Sequence, residues 1–283
     1  MEIVLVDNMT QKLLGAISPT VGECKECKIA VAFVSYKGLS LLEAAFRQCL
    51  EKNGYLEFLI GLDLSGTEPR ALWTLYDMAK ANTRVRLLCL SELGPATIYH
   101  PKLYVMHVDE LATVVVGSSN LTEGGLVENI EVNVLIRAGT HEEIVSDIHA
   151  VYNKLKFHPH RVEPDQEFLA LYEKMHSLKR ERETISQGGE LRKLHSQFKD
   201  KAASLHHPVP APRDLFGWQK LVFERLPEGH FRTSDIYQFE KEFSAYYPEN
   251  RNVRPKIRQV LQQLRDLGMI KHIARETWLR SRA

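Results

Sequence analysis

The sequence predicts an α/β protein in which a mixed sheet is flanked by helices, followed by a helical connector and a small winged helix-turn-helix domain. Three observations carry this reading. Apolar runs too short for helices alternate with helix-spaced leucines through the first 90 residues, which is the pattern of parallel strands with covering helices. A stiff stretch, His206-His207-Pro208-Val209-Pro210-Ala211-Pro212, then interrupts the chain. Beyond it, three helical patterns end on a hairpin pattern. A chain of 283 residues accommodates this as a first domain over 1–160, a connector over 161–212 and a C-terminal domain over 213–283.

In order, the first domain reads as a strand at 28–34, a helix at 38–51, a strand at 56–62, a helix at 67–80 opened by Thr67-Glu68-Pro69, and a strand at 85–90. Three strands without intervening helices follow at 98–106, 112–117 and 130–136, then a helix at 141–155. Charged helices at 167–182 and 190–205, separated by Gly188-Gly189, form the connector. The C-terminal domain reads as helices at 215–225, 233–246 and 252–267, the last closed by Gly268, and a hairpin at 269–274 and 276–279.

Composition excludes several classes. No apolar run approaches the roughly 18 residues that a membrane span requires. The N-terminus meets an acid at Glu2 and has no basic segment, unlike a secretory signal, so a cytoplasmic protein without a disulfide framework is expected. Cys24-Lys25-Glu26-Cys27 is a lone pair with no second pair at zinc-ligand spacing, and it reads as a turn entering a strand. Charge is unevenly spread: residues 211–283 hold 14 Lys and Arg against 9 Asp and Glu, whereas the rest holds 23 against 27. A basic module joined to a mildly acidic one fits a nucleic-acid reader attached to another activity.

The chemistry concentrates in Tyr99-His100-Pro101-Lys102-Leu103-Tyr104-Val105 and in Val114-Val115-Val116-Gly117-Ser118-Ser119-Asn120. On a strand, His100 and Lys102 share a face about 7 Å apart, so an imidazole and an ammonium enter one pocket. The next strand stops at Gly117, where Ser118 and Asn120 supply neutral donors beside a close-approaching backbone. One cation plus neutral donors suits a phosphodiester.

Together, H-x-K on a strand and G-S-x-N after the next resemble the HKD signature of the phospholipase D superfamily, over residues 25–160. Glu131 matches the acidic residue that follows the motif in that family's nucleases. The signature's Asp is His107 here; by strand parity His107 points away from His100 and reads as structural. The resemblance implies His100 as nucleophile forming a phosphohistidine, with Lys102, Ser118 and Asn120 balancing transition-state charge and Glu131 orienting an imidazole. It implies neither metal nor other cofactor. A second, protonated histidine must serve the leaving oxygen. Because the chain has one such motif, the resemblance implies a homodimer with two histidines meeting at a twofold axis.

In the C-terminal domain, Val253, Ile257, Val260, Leu264 and Leu267 share one arc of the third helix, and Arg254, Arg258, Gln262 and Arg265 share another. With Arg251 and Lys256 these polar residues form the candidate DNA contacts, since Arg and Gln read guanine and adenine edges. The segments Phe231-Arg232-Thr233-Ser234-Asp235-Ile236-Tyr237 and Asn252-Val253-Arg254-Pro255-Lys256-Ile257-Arg258-Gln259 resemble winged-helix domains appended to certain restriction endonucleases. The combined expectation is a metal-independent, phospholipase D-type restriction endonuclease acting on double-stranded DNA, with no membrane partner. The alternatives are a nuclease of low sequence preference and a DNA-binding regulator that uses an inactive nuclease-like domain to dimerise.

Overall fold

The computed structural model describes residues 1–62, 66–90, 98–182 and 188–280, with 179–182 and 188–192 as backbone alone. The chain begins with β1 (Glu2–Val6), α1 (Leu13–Glu23), β2 (Glu26–Val31), α2 (Tyr36–Glu51), β3 (Tyr55–Ile60), α3 (Pro69–Ala81) and β4 (Val85–Leu90). It continues with β5 (Lys102–Val108), β6 (Leu111–Gly117), β7 (Asn133–Gly139), α4 (Glu143–Lys156), β8 (Arg161–Val162), α5 (Gln166–Arg182) and α6 (Gly188–Ser204). The last part comprises α7 (Gly217–Glu224), β9 (Gly229–Arg232), α8 (Thr233–Tyr237), α9 (Glu240–Tyr246), α10 (Val253–Asp266), β10 (Ile270–Ala274) and β11 (Thr277–Arg280). Two compact units result: Met1–Arg137 with Pro159–Pro208, and Ala138–His158 with Val209 onward.

The first unit is built on an eight-stranded mixed sheet in the order β1-β7-β6-β5-β2-β3-β4-β8. The alternating segment gives the parallel strands β2, β3 and β4, while β5 runs antiparallel to β2 and pairs with β6 as a hairpin. Ser35 caps α2 by accepting from Gly38 N at 3.0 Å, and Pro69 opens α3, where its missing N–H costs nothing. Leu39, Leu42, Phe46 and Cys49 recur at helical spacing and bury α2, with Phe46 edge-on to Phe58 of β3 at 5.4 Å.

Three expectations need correction. His100 precedes β5 and Glu131 precedes β7, so neither lies within its strand. Gly188 and Gly189 open α6 instead of separating two helices. The helix expected over 233–246 is two helices, α8 and α9. The sequence reading also omitted β1, α1, β8 and β9; α1, Leu13–Glu23, carries Gly15, Pro19 and Gly22, which weaken any helical pattern.

The second unit holds a separate core of Trp218, Phe243, Ile257, Leu261 and their neighbours. Trp218 stacks on Tyr247 at 4.6 Å. The helix α10 ends in a Schellman motif: Gly268 has φ +75°, its N–H reaches Arg265 O at 2.8 Å, and Met269 N reaches Leu264 O at 3.0 Å. A three-stranded sheet, β10-β11-β9, completes a winged helix.

Contacts place α4, which the sequence assigned to the first domain, with this module. Beside Val145, Ala150 and Tyr152 it buries polar residues: Ser146 Oγ accepts from Trp218 N at 2.8 Å, His149 stacks on Phe216 at 4.1 Å, Asn153 donates to Asp214 O at 2.8 Å, and Lys156 pairs with Asp214 at 2.8 Å. Gly217, at φ +52°, sits so close to Ser146 that a Cβ would come within 2.4 Å of it.

Candidate active site and nucleic-acid interface

The residues before β5 are anchored from below. Tyr99 lies under the buried Arg161 guanidinium at 4.6 Å, and Arg161 also donates to Ile60 O at 3.2 Å. Burial pushes the Tyr99 phenol up, with Arg161 opposing. Pro101 O accepts from Ala32 N at 3.0 Å, tying the segment to the end of β2. His100, held between these points, is exposed.

Lys102, opposite Val31 in the sheet, is only 7% exposed, yet its ammonium lies 2.6 Å from Nδ1 and 2.8 Å from Nε2 of His100. Burial lowers the Lys102 pKa from the usual lysine value, and the charge of Glu131 partly opposes this. Imidazole and ammonium therefore meet as one unit, because Lys102 folds back to a residue ahead of its strand.

The loop after β6 is fixed by close packing. A Cβ on Gly117 would approach Val132 O and Asn133 Oδ1 to 2.4 Å, which explains a glycine there. Ser118 Oγ accepts from Val132 N at 2.9 Å and donates to the Glu131 carboxylate. Asn120 Oδ1 accepts from Phe33 N at 3.1 Å. Glu131, expected to orient the imidazole of His100 or of its mate, has its carboxylate on Ser118 Oγ and Asn129 Nδ2 within the chain, and among the described residues no hydrogen bond joins it to His100.

Two participants escaped sequence reasoning. Asn133 is buried and staples the loop, accepting from Ser119 N at 3.2 Å and donating to Ser119 Oγ at 2.9 Å and Val6 O at 3.3 Å. Phe33 touches both halves of the site, with its ring 5.6 Å from that of His100 at 73°. His107 is buried opposite Glu26 and Ala112, with burial holding its pKa down and Glu26 opposing. Among the described residues no group of three His, Cys, Asp or Glu stands ready to hold a metal.

The candidate DNA contacts, Arg251 just before α10 and the others on it, divide. Arg251, Arg254, Arg258, Gln262 and Arg265 are exposed. Arg258 donates to Tyr237 OH at 2.9 Å, and Arg254 lies 5.1 Å over the same ring while pairing with Glu240 at 2.8 Å. Arg265 pairs with Asp266 at 2.7 Å. Lys256 is corrected: it is 7% exposed and bridges Asp147 at 2.6 Å and Glu143 at 2.9 Å, both on α4, so it faces the module's interior. Burial works to lower its pKa, but the hydrogen bonds to Asp147 and Glu143 outweigh this and hold it above the lysine range.

Two family models match the chain. Residues 25–156 match the family model described as cardiolipin synthase, PLD-like domain, and residues 218–279 match the Dam-replacing HTH domain. The chain thus combines a phospholipase D-like domain with a helix-turn-helix domain. The first match includes α4, whose contacts lie with the second unit.

No curated protein matches the chain. Among solved structures it is similar to NucT from Helicobacter pylori, at 15% identity over 54% of this chain and 94% of that one, with a TM-score of 0.43. It is also similar to phosphatidylserine synthase of Haemophilus influenzae Rd KW20, at 15% identity over 71% of this chain and 46% of that one, TM-score 0.42. A third is yeast tyrosyl-DNA phosphodiesterase, at 16% identity over 54% and 37%, TM-score 0.37. Among the described residues no helix is long and apolar enough to cross a membrane.

Proposed function

We propose that the chain is a metal-independent endonuclease that cleaves double-stranded DNA in the cytoplasm through a phosphohistidine at His100, as a sequence-specific restriction enzyme. The observation that carries this reading is the His100–Lys102 unit, set beside the Ser118–Asn120 loop in a phospholipase D-like domain whose chain also bears a helix-turn-helix.

A ring nitrogen of His100 attacks phosphorus, and the P–N bond forms as the P–O bond to the leaving deoxyribose breaks. The leaving oxygen takes a proton from an imidazolium, supplied by the partner subunit's His100 in a homodimer. That imidazole, now neutral, takes a proton from water, whose oxygen attacks phosphorus and releases His100. Lys102 and the side-chain amide of Asn120 offset charge on the five-coordinate phosphorus, while Glu131 holds the Ser118 hydroxyl. Arg251, Arg254, Arg258, Gln262 and Arg265 contact DNA.

A nuclease of low sequence preference is the second reading, favoured by the carboxylate partners that Arg254 and Arg265 already hold. Plasmid digestion in EDTA tests both. Discrete fragments, absent with His100→Ala, support a restriction enzyme, and a smear supports the second reading. Activity lost in EDTA overturns the metal-free mechanism. DNA binding without any cleavage leaves a regulator.

A further inference from the structure

We propose that Phe33 is a positioning residue of the reactive centre: its ring sets the plane of the His100 imidazole, and its backbone N–H sets the sense of the Asn120 amide. This deepens the phosphodiesterase reading and rests on it.

Phe33 stands just past the end of β2, and it contacts two groups far away in sequence. Its N–H donates to Asn120 Oδ1 at 3.1 Å. With the carbonyl oxygen committed, the group that Asn120 can offer a phosphate oxygen is its Nδ2, a donor, which is what a charged phosphorus centre requires. A flipped amide would present an acceptor to an anion.

The ring meets His100 in a T-shaped contact, with centroids 5.6 Å apart, and the Lys102 ammonium lies 6.0 Å from the same centroid. The Lys102 ammonium meets the exposed imidazole at its nitrogens, and a wall on one side removes further unproductive orientations of the ring before substrate arrives.

The ring itself has little freedom. A Cβ on Gly66 would come within 2.3 to 2.7 Å of three Phe33 ring carbons, so the absence of a side chain at Gly66 makes the ring's seat. The backbone beyond is clasped to the loop after β6: Val34 bridges Leu121, Ser35 N donates to Leu121 O at 3.1 Å, and a Cβ on Gly38 would lie 2.4 Å from Leu121 O. Phe33 therefore couples the end of β2 to both halves of the site through one short segment.

The test uses the full chain and two variants that disturb the ring by different routes. Phe33→Leu removes the aromatic edge but keeps the N–H bond to Asn120, and Gly66→Ala displaces the ring without removing it. Both are expected to lower kcat about tenfold with KM within about twofold, the pattern of a lost transition-state orientation. The His100 ring-proton resonance, assigned by its loss in His100→Ala, is expected to move in both as the ring current changes. Wild-type kcat with an unmoved resonance in Phe33→Leu overturns the proposal, and if that variant does not fold, the same result in Gly66→Ala does so. A moved resonance in a wild-type background that cleaves no DNA counts against the phosphodiesterase reading but for the Phe33–His100 contact.

Discussion

The ammonium of Lys102 reaches both ring nitrogens of His100, at 2.6 and 2.8 Å, although Lys102 itself is almost fully buried. In the proposed mechanism the same ammonium offsets charge on the phosphate. Lys102→Met is expected to lower kcat by about three orders of magnitude with a smaller change in KM, as measured by single-turnover cleavage of a short duplex.

The pH dependence follows from the same residue. Because burial depresses the Lys102 pKa, activity that needs the ammonium falls as pH rises through a value below the ordinary 10.5. Glu131 pulls the other way. Glu131→Gln removes that support, so the alkaline limb of the cleavage profile should move to lower pH. An alkaline limb that stays in place would mean that Glu131 does not act on Lys102.

Asn133 offers a separate test of the loop. Its buried amide satisfies Ser119 N, Ser119 Oγ and Val6 O, and truncation leaves these groups without it. Asn133→Ala should cost about 1–3 kcal/mol by thermal or urea unfolding. Cleavage should fall further than stability at temperatures where the variant is folded, since Ser118 and Asn120 flank the loosened residue. Equal activity of folded variant and wild type would show that the loop needs no such staple.

Lys256 separates packing from recognition. Its ammonium bridges Asp147 and Glu143, which are themselves 46% and 37% exposed, so solvent screening limits the pair to about 1–2 kcal/mol. Lys256→Met should lose that stability and leave the salt dependence of DNA binding unchanged. The folded-state pKa of Lys256 is raised, so its contribution is fully present below the unfolded lysine value and lost as pH rises through the folded one. The difference in unfolding midpoint between variant and wild type should therefore hold through neutral pH and close only under strongly alkaline conditions.

What the sequence discloses depends on how local the signal is. His100, Lys102, Ser118 and Asn120 stand in two short runs, so the proposed chemistry can be read from their residue types without the fold. Gly268 likewise marks the end of α10 because a left-handed position follows directly from its lack of a side chain. By contrast, Phe33 and Asn120 are 87 positions apart, and nothing in the Ala-Phe-Val run distinguishes a site wall from a core residue. Lys256 sits among arginines and counts as one more basic residue until Glu143 and Asp147 are brought to it. Ser146, His149, Asn153 and Lys156 stay hidden for a related reason: apolar periodicity marks only apolar faces as buried, whereas Trp218, Phe216 and Asp214 meet these polar side chains.

The DNA recognition proposed for α10 can be divided between charge and base reading. Arg258 is exposed and oriented by its bond to Tyr237 OH, with Arg254 over the same ring, so both guanidiniums are preplaced outside the packed face. Gln262 lies on that outer face one turn further along and carries no charge. Arg258→Ala should weaken binding and reduce the slope of log K against log salt by about one if it holds a phosphate. If it reads a base, discrimination at one position should drop by about 1–3 kcal/mol. Gln262→Ala should leave the salt slope unchanged while relaxing discrimination at a single base pair, as read by cleavage of a randomised duplex library. A uniform loss across the library for Gln262→Ala would remove it from base reading and favour a helix that holds only the backbone.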